Sequence, residues 1–147
     1  MAEVKSIVHY GGNDFFIGIS PGGHAQVMDT NGERASAVTP IEVLLNAVGA
    51  CMASDVVDIL KKKREVVTDY RVAVSGTRRE SFPRSFEKIT LHHVLTGENL
   101  SEVAVKQAIE LADSKYCSVA GALRPTATVT VTFEILQAQK LMQESHA

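Results

Sequence analysis

Two residues, Cys51 and Cys117, carry most of the chemical capacity of this 147-residue chain. A thiolate is a nucleophile and a metal ligand, and two thiols together can cycle through a disulfide. Each cysteine also has a plainer reading, because free cysteine packs readily as a small buried apolar side chain. A reactive Cys51 needs a cation beside it, since burial raises a thiol pKa and a mid-helix position gets no help from a helix N-terminus. Arg34 is the candidate cation, because its loop leads directly into the segment carrying Cys51. Cys117 follows the polar run Asp113-Ser114-Lys115-Tyr116 and stands where a new helical turn can begin. Free N–H groups there would favour a thiolate. If the two helices cross, the pair can act as nucleophile and resolver.

Other chemistries find fewer residues. There is no C-x-x-C pair, and the five histidines lack zinc-ligand spacing. His92 and His93 are adjacent on a strand and point to opposite faces. No metal and no resident cofactor is expected. Gly11-Gly12 and Gly22-Gly23 read as hairpin turns rather than nucleotide loops. A formal charge of −2 gives no electrostatic reason to expect nucleic acid or an anionic membrane as partner. The opening MAEVKSIVHYGG holds no apolar signal-peptide core, so a cytoplasmic setting is expected, where thiols stay reduced.

The element that must position Cys51 is the stretch Thr39 to Arg64. Thr39-x-x-Glu42 has the form of a capping box, and Pro40 falls at the first helical position. Lys61, Lys62, Lys63 and Arg64 place four cations at the negative end of the helix dipole. Between these ends the helix is apolar on nearly all sides, which predicts burial on more than one side. Glu42, Asn46, Ser54 and Asp55 interrupt it too often for a membrane span.

A single domain over residues 1–147 is expected, as a β-meander and loop (1–38), the central helix (39–64), a ββαβ segment (66–136) and a polar tail (137–147). Within 66–136, alternation predicts strands around Tyr70–Ser75, Ser85–Thr96 and Thr126–Ile135. Phe86 is out of phase with Ile89, Leu91, His93 and Leu95, which predicts a bulge near Glu87. Ser101 can cap a second helix whose buried face is Val105, Ala108, Ile109, Ala112 and Tyr116. The order βββ–α–ββ–α–β predicts an α+β fold with antiparallel sheet. A sheet covers one side of the central helix, and the same helix of a second chain is the expected cover for the other, in a homodimer.

The pattern T-P-x-E-x-L-L-x-A-x-G-x-C, followed much later by K-Y-C-S-V-A, resembles the OsmC/Ohr family of thiol peroxide reductases, and DVVDILKKKR, SGTRRESFPRSF and LADSKYCSVA its YhfA-like branch. The resemblance runs from about Met28 to Leu136. It implies an intertwined homodimer, its antiparallel sheet wrapped around a long buried central helix. It further implies reduction of organic hydroperoxides or hydrogen peroxide in oxidative-stress defence. Carried over, Cys51 would be oxidised to a sulfenic acid and Cys117 would resolve it as a disulfide. An external dithiol would then reduce that disulfide, without a cofactor. An arginine and a glutamate would activate the thiolate, with Arg34 and Glu42 as candidates. In the family pattern the glutamate directly follows the helix-opening proline, a position held here by Ile41. Glu42 comes one residue later, which puts it and Cys51 on opposite sides of a helix and ~13 Å apart along its axis. The alternative is a redox-sensing or small-molecule-binding dimer with little turnover.

Overall fold

The computed structural model describes residues 2–138, which form two compact units, one reaching to Leu44 and one starting at Leu45. The expected tail falls, beyond Ala138, outside the described residues.

In the first unit β1 (Ile7–Gly12), β2 (Phe15–Ile19) and β3 (Ala25–Asp29) form the expected antiparallel meander. Asn13 and Asp14 join β1 to β2 with φ of 51° and 68°. Positive φ at both positions matches the right-handed twist of the strands, and Asn and Asp tolerate it best among non-glycines. The loop after β3 folds onto the buried carboxylate of Asp29. The unit ends on the start of α1 (Pro40–Lys62), where both halves of the capping box are made. Thr39 N–H donates to Glu42 Oε1 at 3.0 Å, and Glu42 N–H donates to Thr39 Oγ1 at 3.3 Å.

In the second unit α1 closes on a left-handed residue, Arg64, at φ 61°. Arg64 N–H bonds to Lys61 O and Glu65 N–H to Leu60 O, the paired bonds of a Schellman motif. Between its ends the helix buries one stripe: Val48, Gly49, Met52, Val56 and Leu60. Gly49 lets the helix approach the sheet closely, since a Cβ there would lie 2.9 Å from Val74 Cγ2. Burial on more than one side, expected from composition, is thus met on one stripe within a single chain. The helix is long and apolar enough to cross a membrane, but a core helix has the same profile and this one packs its stripe on protein.

The sheet behind α1 has the order β4 (Val66–Arg78), β5 (Phe86–Glu98), β6 (Thr128–Gln137). β4 pairs antiparallel with β5, and the register slips at Glu87, where the phase of Phe86 predicts a bulge. The expectation of antiparallel sheet fails at the next pair: β5 and β6 are parallel, from Lys88↔Thr128 to Gly97↔Gln137. Parallel neighbours need a long crossover, usually helical, and the chain between Glu98 and Thr128 supplies one. That crossover holds α2 (Glu102–Leu111), a single wide π-turn (Ala112–Tyr116) and α3 (Ser118–Leu123). Ser101 caps α2 as expected, its Oγ accepting from Ala104 N–H at 3.2 Å. Ile89, Leu91, His93 and Leu95 all point into the core, and Val105, Ala108 and Ile109 of α2 are buried with them.

Candidate functional site

Cys51 stands in mid-α1 and is partly exposed. Asp55 follows one turn later, so both side chains share a face of the helix. Cys117 arrives from the crossover. The π-turn ends with Cys117 N–H bonded to Ala112 O at 2.8 Å, and the chain then extends for one residue before α3 begins. Single π-turns recur at functional sites because they re-aim the following residue. An ion pair from Arg124 to Asp113 ties together the two flanks of this cysteine.

These elements bring Cys51 Sγ, Cys117 Sγ and a carboxylate oxygen of Asp55 within 4.8 Å of one another. Both cysteines are unbonded. Cys117 is 5% exposed and caps α3, its Sγ accepting from Ala120 N–H at 3.4 Å. The expected helical turn is therefore present, yet burial outweighs it and pushes the Cys117 thiol up to about 11, with Cys51 beside it adding to the rise. Oδ2 of Asp55 is buried without a hydrogen-bond partner among the described residues. Asp55 also borders a groove of about 320 Å³, whose wall is completed by Asp58, Ile59, Lys62, Lys63, Leu111 and Tyr116.

Arg34 and Glu42 belong to the first unit, and each is engaged there. Arg34 donates to both oxygens of Asp29, at 2.9 Å from Nε and 2.8 Å from Nη2, and also to Asn13 O. Its guanidinium lies 4.2 Å from the centroid of the Phe15 ring. Asp29 further accepts from Asn31 N–H and from the N–H and hydroxyl of Ser36. The Arg34 bond above all holds the Asp29 carboxyl well below the usual carboxylate range and raises Arg34 in turn. Glu42 is lowered by its bonds with Thr39, as a capping carboxylate should be.

The residue that sequence reasoning missed at the cysteines is Asp55. Its signal was the i, i+4 spacing to Cys51, visible only once the helix phase is tied to a partner element. The expectation of no metal site rested on local spacing, and a ligand set gathered from a helix and a distant crossover turn escapes that test.

A second polar pair sits in the core of the second unit. Tyr70 Oη and His93 Nδ1 are 2.6 Å apart. Burial, with His92 adding a little, brings His93 down to about 4, and burial raises Tyr70 above its ordinary range.

The model of the OsmC family, described as OsmC-like protein, matches residues 32–132. Protein YhfA of Escherichia coli (strain K12) is 43% identical over 124 residues, covering 84% of this chain and 91% of YhfA. A hypothetical protein from Aquifex aeolicus VF5 superposes with a TM-score of 0.84 at 28% identity, covering 93% of this chain and 98% of its own. An organic hydroperoxide resistance protein OsmC from Legionella pneumophila shares the fold at a TM-score of 0.69 and 16% identity, covering 91% of this chain and 98% of its own. The chain belongs to the OsmC family.

Proposed function

We propose that this chain is a thiol-dependent hydroperoxide reductase working in a reducing compartment such as the cytoplasm. The observation that carries the reading is the approach of the two free thiols to within 4.8 Å on separate elements. Cys51 is the nucleophile, because it is the more accessible thiol and burial keeps Cys117 protonated at neutral pH. Its thiolate attacks a peroxide oxygen, the O–O bond breaks, and the alcohol or water departs with a proton. The resulting Cys51 sulfenic acid is attacked by Cys117, water leaves, and a disulfide forms. An external dithiol returns both thiols. The Asp55 carboxylate, beside both sulfurs, is placed to take and return the proton. The hydroperoxide resistance named for the Legionella protein of the same fold agrees with this class of substrate.

The active unit is a homodimer. What supports this is that a single chain buries only one stripe of α1 and leaves apolar side chains outside it, with Leu44 exposed and Val43, Leu45, Val57 and Ile59 half-buried.

One observation favours a redox-sensing or small-molecule-binding dimer with little turnover: the donors of Arg34 are committed to Asp29 and Asn13. The test is thiol titration with one equivalent of cumene hydroperoxide. A reductase loses both thiols within seconds, whereas loss at the rate of free cysteine rejects the reductase.

A further inference from the structure

We propose that Cys51, Asp55 and Cys117 form a binding site for a thiophilic divalent cation, zinc in particular, held by two thiolates and one carboxylate. The ligand atoms lie within 4.8 Å of one another. A tetrahedral zinc with bonds of roughly 2.3 Å to sulfur and 2.0–2.2 Å to oxygen needs those atoms about 3.5–3.8 Å apart. Closing from 4.8 Å to that spacing asks for shifts of about 1 Å, within reach of side-chain rotation.

The independent observation is the carboxylate. Oδ2 of Asp55 is buried and has no hydrogen-bond partner among the described residues. A buried carboxylate oxygen without a partner is costly, and a cation held by this carboxylate would offset the cost. The ligand set also selects the metal. Two sulfurs suit zinc and its soft neighbours, whereas calcium and magnesium take oxygen ligands. Three protein ligands leave a fourth position for water or a small ligand, and Asp55 also borders the 320 Å³ groove.

Binding involves no change in oxidation state. Each S–H bond breaks, both protons pass to solvent, and each sulfur gives its electron pair to the metal. The site exists only while both thiols are reduced, whatever their turnover with peroxide, so its test does not depend on the reductase reading.

Cobalt(II) is the probe, added to the reduced, metal-free full chain. One equivalent per chain should produce sulfur-to-cobalt charge-transfer absorption and tetrahedral d–d bands, and zinc should bleach both. Asp55→Asn should weaken cobalt binding tenfold or more, and Cys117→Ser should remove most of the charge-transfer intensity. Should either variant fail to fold, the wild type alone decides: one equivalent of zinc should protect two thiols from alkylation. The absence of a charge-transfer band, cobalt affinity within twofold of wild type in folded Asp55→Asn, or unprotected thiols would each overturn the site.

Discussion

The sulfurs of Cys51 and Cys117 lie within 4.8 Å of each other, although one thiol comes from the middle of a long helix and the other from a crossover turn. A disulfide needs them at ~2.05 Å, a short closure for two side chains on separate elements. Under the reductase reading the two single mutants fail differently. Cys51→Ser should abolish hydroperoxide consumption, since a serine hydroxyl is not ionised near neutral pH. Cys117→Ser should react once and stop at a sulfenic acid, which a trapping reagent captures and excess peroxide overoxidises. Intact mass spectrometry of the oxidised wild type should show the loss of two hydrogens per chain. Equal, slow reaction of both mutants and wild type would make the cysteines packing residues.

Glu42 should behave as a cap. Its carboxylate receives Thr39 N–H at 3.0 Å, and its own N–H is answered by Thr39 Oγ1. Glu42→Gln keeps a side chain able to fill that place and should leave any peroxidase rate within a few-fold. Glu42→Ala should lower the thermal midpoint while sparing the rate. A ~100-fold rate loss in the Gln variant at unchanged stability is the scale of a catalytic acid or base and would assign it that role.

The outer face of α1 should be a subunit interface. Ala50 is exposed, on the opposite side from the buried stripe of Val48, Met52 and Val56. Light scattering should give twice the chain mass for the wild type. Ala50→Glu should yield folded monomer or weaken association at least tenfold, because a buried unpaired charge is costly. A wild-type monomer at micromolar concentration would refute the assignment.

What could be read from the sequence followed from local chemistry. Thr39, Pro40, Glu42 and the terminal cations mark both ends of α1 because caps and dipole act within one turn. The out-of-phase Phe86 marks the bulge at Glu87 because the strand period is strictly two. The parallel pairing of β5 and β6 was not legible, since alternation in Thr128–Gln137 shows a half-buried strand and says nothing of its neighbour's direction. The π-turn that aims Cys117 has no composition of its own. Asp55 could be seen only as an interruption of an apolar helix, and its place beside both sulfurs depends on tertiary packing. Arg34 looked available as an activating cation, whereas the buried carboxylate of Asp29, five residues earlier, already takes up its donors.

The last prediction concerns acid stability and rests on His93. Its side chain is fully buried, Nδ1 lies 2.6 Å from Tyr70 Oη, and Nε2 has no partner among the described residues. Burial raises Tyr70, so it keeps its proton and can donate to Nδ1, which places the imidazole proton on Nε2. A second proton would put a charge in the core beside His92. Burial therefore lowers the folded-state pKa to about 4 from an ordinary 6.5. Between these values the unfolded chain binds the proton and the folded chain refuses it, so stability rises with pH across that window. Acidification from 6.5 to 4 should progressively lower the urea midpoint through this residue, with no further loss from it below 4. His93→Gln should flatten that part of the profile whatever its overall stability. NMR of the wild type should show one imidazole titrating near 4, if the protein stays folded there. A His93 midpoint near 6.5 would mean that water reaches the ring and that the core around Tyr70 is open.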